Sequence, residues 1–327
     1  MQKTAGLIKK RILELFADGS VTKALAWSRS EDFIYEVSPT FFTKDDIDGL
    51  IYDSFCAANL SKYLIKASKE QTEGKLLAVL KPCDTYSFNQ LISEHRIDRD
   101  KIYALSVPCT GMIDHEKLSS LGFTGVTKVI DKGDSFEVFS LDGSQTVSKQ
   151  EVLYEKCLCC KGSEPKAYDE VIESDSERLE SENRFAGVEE IEKMSPEERF
   201  AFWQNELSKC IRCNACRNVC PACSCIKCVF DNVNSGVASK ANDDSFEEKL
   251  FHIIRAFHVA GRCTDCGECS RVCPQGIPLH LLNRKFIKDI NELYGEYQAG
   301  EEPYQRAPLV NFTNDDAEPS IVEERGN

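Results

Sequence analysis

The pattern of apolar positions in the first half of the chain predicts an α/β domain. Apolar residues recur at helical spacing over 3–18, and Gly19 follows, which indicates an amphipathic helix. Short apolar runs come next. These runs predict strands at 24–27, 33–37, 76–80, 102–107 and 136–141.

The segment between the third and fourth runs predicts how these strands are connected. Tyr86 to His95 has helical character, so 76–109 forms a strand–helix–strand crossover with parallel strands. Asp142-Gly143 indicates a hairpin turn after the last run. We therefore expect an α/β domain over 1–165, with a mixed or parallel sheet and flanking helices.

The second half of the chain has a different pattern. Residues 166–194 are rich in Glu, Asp and Ser and predict an acidic linker, because such a composition buries too little apolar surface to fold alone. Ser195 and Glu198 then form a capping box, and Ser245 with Glu248 forms a second one. We expect a mostly α-helical domain over 195–300 and an extended C-terminal tail over 301–327.

The cysteine content of the chain indicates metal binding. The chain of 327 residues contains 17 Cys and no segment that resembles an export signal, so a disulfide scaffold is a poor interpretation and a cytoplasmic location is expected. No apolar run approaches the length of a membrane span. A net charge of −14 argues against nucleic-acid binding and favours docking onto protein partners with basic patches.

Eight cysteines form two identical runs, each followed by Pro. The first run is Cys210, Cys213, Cys216 and Cys220, and the second is Cys263, Cys266, Cys269 and Cys273. This spacing is typical of bacterial two-cluster ferredoxins, in which the fourth cysteine of each run binds the other cluster. We expect one [4Fe-4S] cluster on Cys210, Cys213, Cys216 and Cys273, and a second on Cys263, Cys266, Cys269 and Cys220. Zinc and a redox dithiol explain the duplication less well.

Four further cysteines suggest a third [4Fe-4S] cluster. Cys83 and Cys109 follow predicted parallel strands, at the edge where α/β sheets place ligands, and Cys157 and Cys160 are separated by two residues. Cys159 competes with Cys160 as a ligand. In the alternative interpretation, Cys83 and Cys109 are small buried hydrophobic residues.

The remaining cysteines and the histidines have less definite roles. Cys223, Cys225 and Cys228 follow the first run and either bind another metal, complete the third site or pack beside the first cluster. Cys56 is expected in the core. The histidines are interpreted as polar helix residues or hydrogen-bond donors, and we predict no catalytic side chain.

Several segments together resemble a known family. Lys81-Pro-Cys-Asp84, Asp98 to Tyr103 and Val107 to Met112 are similar to the beta subunits of deazaflavin-dependent hydrogenases and formate dehydrogenases. The segment from Phe202 to Pro274 is similar to the dicluster domain of the same subunits, of sulfhydrogenase beta subunits and of anaerobic sulfite reductase A subunits. This order of modules, with the cluster domain second and a short first module, departs from the family pattern.

The resemblance implies an electron-transfer role without catalysis in this chain. The subunit would relay electrons between a catalytic subunit, of formate dehydrogenase or hydrogenase type, and a flavin or heterodisulfide-reductase-like partner in a hetero-oligomer. Cys83, Cys109, Cys157 and Cys160 would match an extra cluster site of the family. Alternatively, the chain binds FAD and itself reduces a deazaflavin or nicotinamide, although it has no G-x-G-x-x-G run.

Overall fold

The computed structural model describes residues 2–162, 164–173, 183–232, 234 and 245–308. Its strands are β1 (Val21–Arg29), β2 (Val37–Phe42), β3 (Lys75–Leu80), β4 (Ile102–Ser106), β5 (Lys128–Asp131), β6 (Ser135–Ser140), β7 (Gly143–Ser148) and β8 (Glu170–Val171). Its α-helices are α1 (Gln2–Ala17), α2 (Leu64–Glu70), α3 (Pro82–Ser93), α4 (His115–Ser120), α5 (Lys149–Val152), α6 (Glu155–Leu158), α7 (Ala186–Glu192), α8 (Pro196–Ser208), α9 (Ala215–Val219), α10 (Ser245–Val259), α11 (Glu268–Arg271) and α12 (Leu279–Tyr294).

The main sheet has five strands in the order β2-β1-β3-β4-β8. Strand β2 is antiparallel to β1, whereas β1, β3, β4 and β8 pair in parallel. Helix α3 connects β3 to β4, which confirms the predicted crossover. The central strand β3 is buried on both faces, as expected for a parallel strand that helices cover.

A second, three-stranded sheet follows in the order β5-β6-β7 and is antiparallel. Ser140 pairs with Gly143, so Leu141 and Asp142 form a two-residue hairpin loop. The predicted hairpin is present, with its turn one residue earlier than the predicted Asp142-Gly143. The inward face of this sheet contributes Phe136, Val138 and Val147 to a small core of its own.

The described part of the second half is helical, as predicted. Helix α8 begins with a capping box in which Ser195 and Glu198 exchange side-chain to backbone hydrogen bonds. Helix α10 lies between α8 and α12 and ends just before Gly261, which has a positive φ of 71°. The fold is therefore an α/β first half followed by a helical second half, as the sequence predicts.

Some parts of the chain differ from the predicted strands or lie outside the description. Residues 33–37 were predicted as a strand, which is wrong for 33–36: the amide of Glu36 donates to the carbonyl of Phe33 in a turn that joins β1 to β2. Strand β8 and helix α7 occupy described portions of the expected acidic linker. Residues 174–182 of that linker and 309–327 of the expected tail lie outside the described residues.

The two halves meet through polar contacts. The hydroxyls of Ser87 and Thr264 are 2.8 Å apart and buried, and Arg262 donates to both carboxylate oxygens of Glu94 at 2.7 and 2.6 Å. Helix α3 of the first half is thus in direct contact with the segment that carries the second cysteine run. None of the helices in the described ranges combines the length and apolar composition that a transmembrane helix requires.

Candidate metal centres

The two cysteine runs have the same unusual backbone conformation. Arg212 and Asp265, each just before the second cysteine of its run, have φ values of 55° and 56°. Asn214 and Gly267, each just after it, have φ values of 61° and 65° and cap helices α9 and α11. The left-handed region is unfavourable for most residues, so its recurrence at matching positions indicates a duplicated structure and not only a duplicated sequence.

This backbone points amide groups toward sulfur. The amide of Arg212 donates to the Sγ atom of Cys210 at 3.4 Å, and the amide of Asp265 makes the equivalent bond to Cys263. Successive N–H groups in such turns form concavities that bind anions, including iron–sulfur clusters. The donor set, consisting of thiols and convergent amides, therefore fits a [4Fe-4S] cluster in each run.

The first predicted ligand set shares one small cavity. Cys210, Cys213, Cys216 and Cys273 all line a cavity of about 20 Å³. Cys273 is the fourth cysteine of the second run, so the structure brings it to the first run, as crossed ligation requires. Ile211 is exposed beside this cavity, and Cys213 is also exposed. One side of the first centre therefore faces the protein surface.

The second predicted ligand set converges around Cys220. Burial raises the pKa of Cys263, Cys266 and Cys269, and the negative charge of Cys220 raises each of these pKa values further. Cys220 and Cys269 are buried. Cys220 belongs to the first run, yet it lies close to the cysteines of the second run, as crossed ligation predicts. A hydrogen bond from the Cys223 thiol lowers the pKa of Cys220.

The four N-terminal cysteines predicted for a third cluster also line a single cavity. Cys83, Cys109, Cys157 and Cys160 surround about 20 Å³ at the carboxyl edge of the main sheet. Cys83 lies in the first turn of α3 directly after β3, and Cys109 follows β4. The edge of the parallel sheet thus supplies two thiols, and the segment after α5 supplies the other two. Cys266 of the second run lines the same cavity.

The other cysteines are placed differently. Cys159 is absent from the linings of both small cavities and lies near Glu155 and Arg284. Cys223, Cys225 and Cys228 line a separate, open cavity of about 660 Å³. Cys56 is fully buried in the main core, as expected. Within the described ranges, no three Cys, His, Asp or Glu side chains are arranged to hold a single metal ion.

A buried ion pair connects the third site to the second. Lys156 Nζ lies 2.5 Å from Glu268 Oε1, and it also donates to the carbonyl of Ala57 at 3.1 Å. Glu268 is also held by Arg271 at 2.7 Å. Gly267 permits this close approach, because a Cβ atom there would lie 2.5 Å from the Cβ of Lys156. The halves are therefore joined where their proposed ligand sets are adjacent.

Helix α10 brings two buried polar side chains to the cysteines, which spacing alone did not identify. Arg255 donates to the carbonyl of Cys216 at 3.4 Å and hydrogen-bonds the thiol of Cys269. His252 lines the first cavity, and burial together with the charges of Arg255 and Arg212 lowers its pKa to about 3. In the sequence, the only signal was that both residues precede the second run on a predicted helix.

Comparison with known proteins also places a cluster-binding domain in the second half of the chain. A family model described as 4Fe-4S dicluster domain matches residues 206–277, which include both cysteine runs. A protein of Sinorhizobium fredii assigned as a ferredoxin is 33% identical over 79 residues, covering 24% of this chain and 75% of that protein.

Two longer relatives extend across both halves. The F420-dependent formate dehydrogenase subunit beta of Methanocaldococcus jannaschii is 26% identical, covering 84% of this chain and 86% of the relative. The F420-dependent formate dehydrogenase 1 subunit beta of Methanococcus maripaludis is 24% identical, covering 68% of this chain and 73% of the relative. The chain therefore carries a 4Fe-4S dicluster domain in its second half and is similar across both halves to the beta subunits of F420-dependent formate dehydrogenases.

Proposed function

We propose that this chain relays electrons through three [4Fe-4S] clusters between a catalytic subunit, of formate dehydrogenase or hydrogenase type, and a flavin or heterodisulfide-reductase-like partner. The clusters supply one-electron chemistry, and the protein supplies spacing, burial and hydrogen bonds. The observation that carries the proposal is that Cys210, Cys213, Cys216 and Cys273 line one small cavity and Cys83, Cys109, Cys157 and Cys160 line another, with Cys266 of the second run also lining the latter.

The arrangement of the three sets supports a continuous path. Cys266, which we assign to the second cluster, lines the cavity of the third set. Cys220 and Cys273 are exchanged between the first and second sets, so these two clusters share the same pair of loops. The third set is therefore adjacent to the second, the second set shares its loops with the first, and the order along the path is third, second, first.

The two ends of this path differ in their surroundings. The first set includes the exposed Cys213 and lies beside exposed Ile211, which suits electron exchange with a docked protein. The third set lies at the carboxyl edge of the parallel sheet, where α/β proteins commonly bind ligands and partners. We therefore assign the first set to the end that faces the electron acceptor and the third set to the end that faces the catalytic subunit.

The test is anaerobic purification of the native complex through a tag on this chain. We expect a catalytic subunit to co-purify, and formate or hydrogen to reduce the clusters as followed by EPR. Replacing Cys213 with Ser should slow electron delivery to the natural acceptor while the catalytic subunit still reduces an artificial dye. A chain that purifies without partners, contains flavin and reduces a deazaflavin or nicotinamide alone would support the FAD enzyme instead.

A further inference from the structure

Helix α10 directs two side chains toward the proposed cluster ligands. His252 and Arg255 are three residues apart, so they lie on one face of the helix. Their side chains are almost completely buried, with 1% and 3% of their surface exposed. Buried charged and polar groups of this kind normally have partners that offset the cost of burial. Both side chains therefore require partners in the protein interior.

Arg255 lies between the first and second ligand sets. Its Nη2 atom donates to the carbonyl oxygen of Cys216, which belongs to the first set. It also hydrogen-bonds the thiol of Cys269, and its charge lowers the pKa of Cys220, both of the second set. Its Nε atom has no hydrogen-bond partner within the part of the chain that the structure describes. The guanidinium thus touches both sets and retains an unused donor.

We propose that Arg255 is a counter-charge shared by the two clusters of the dicluster domain and that it raises the reduction potential of both. The inference rests on the proposed ligand sets. Reduction adds one negative charge to a cluster, and a buried cation stabilises the more negative state more strongly because the surrounding dielectric is low. The guanidinium remains protonated in proteins, so this charge is constant.

We infer that His252 raises the potential of the first cluster only, through a hydrogen bond and not through a charge. It lines the cavity of Cys210, Cys213, Cys216 and Cys273, and neither ring nitrogen has a hydrogen-bond partner among the described residues. Hydrogen bonds to cluster sulfurs raise the potential. Arg255 therefore raises the reduction potential of two clusters, and His252 raises that of one.

The test is an EPR-monitored redox titration of anaerobically purified full-length protein. Arg255→Gln removes the charge, Arg255→Lys retains it, and Lys249→Gln removes a charge from the same helix at a partly exposed position. We expect Arg255→Gln to lower the reduction equilibrium constant of both clusters about tenfold, which is about 59 mV for one electron. Arg255→Lys and Lys249→Gln should remain close to the wild type. His252→Leu should lower only the first cluster's potential.

The outcomes separate this inference from the proposed function. Unchanged potentials in an Arg255→Gln protein that retains its iron would overturn the inference, as would a shift of only one cluster. If Arg255→Gln loses iron, retention of iron in Arg255→Lys supports a role for the charge, whereas equal loss in both variants overturns it. A wild-type protein without two reducible clusters would instead refute the ligand sets themselves.

Discussion

The carboxylate of Glu268 lies 2.5 Å from the ammonium group of Lys156, and each residue is next in sequence to a cysteine of a different ligand set. Glu268 precedes Cys269 of the second set, and Lys156 precedes Cys157 of the third. Both side chains are almost fully buried, at 2% and 9% exposure. This pair therefore fixes the position of the third site relative to the second.

Replacing Glu268 with Gln should destabilise the contact between the two halves. The change leaves Lys156 and Arg271 without their buried anion, and removing one partner of a buried ion pair costs about 3 to 5 kcal/mol. Anaerobic thermal unfolding should show a clearly lower midpoint. The control is Glu292→Gln, which removes an exposed pair with Lys288 and should cost below about 1 kcal/mol. Equal shifts in the two variants would contradict the role assigned to Glu268.

Replacing Gly267 with Ala should disturb the second centre. The residue has a φ of 65°, and the added Cβ would lie 2.5 Å from the Cβ of Lys156, so the loop or α6 must move. Iron bound per chain should fall. Gly276→Ala is a matched control, because its φ is 62° but no atom lies within 4 Å of the added Cβ. Its cost should be limited to backbone strain of about 1 to 2 kcal/mol. Equal iron loss in the two variants would show that strain alone matters.

Serine replacements should distinguish the third set from its neighbours. Cys83→Ser and Cys157→Ser each remove a thiol that lines the third cavity, and the iron content should fall from about twelve to about eight atoms per chain. Cys159→Ser and Cys56→Ser should retain the wild-type iron content. If Cys159→Ser lowers the iron content and Cys160→Ser does not, Cys159 is the ligand instead.

Crossed ligation makes a specific prediction for the fourth cysteine of each run. Cys220→Ser should change the same EPR signal as Cys266→Ser, although Cys220 lies in the first run. Cys273→Ser should likewise resemble Cys213→Ser, since both line the first cavity. If each run instead bound its own cluster, Cys220→Ser would resemble Cys213→Ser, and Cys273→Ser would resemble Cys266→Ser. Cys225→Ser serves as the control and should leave both signals unchanged, because Cys225 is exposed and lines the separate open cavity.

The sequence predicts the parts of the molecule that depend on local spacing. The helix capped by Ser195 and the crossover from β3 to β4 follow from nearby residues alone, and both are present. The cysteine spacing also carries enough chemistry to propose the two dicluster ligand sets. Crossed placement of Cys273 was predictable because it is a property of the duplicated motif.

Features that depend on distant contacts were not predicted. Strand β8 has only two residues in an acidic stretch, and it is held by Arg11 and Tyr103, which both contact Glu170. The position of Arg255 between two ligand sets likewise depends on how α10 packs against both runs. Residues 33–36 were misassigned because aromatic residues in a turn resemble a strand when the pairing of β1 with β2 is unknown.

The most direct test of the central claim is anaerobic analysis of iron, acid-labile sulfide and zinc in the wild-type protein. Three cubanes predict about twelve irons and about twelve sulfides per chain, with a brown colour that bleaches on reduction. Colourless protein without iron, or protein with stoichiometric zinc on the two cysteine runs, would contradict the account. About eight irons would retain the dicluster domain and eliminate the site formed by Cys83, Cys109, Cys157 and Cys160.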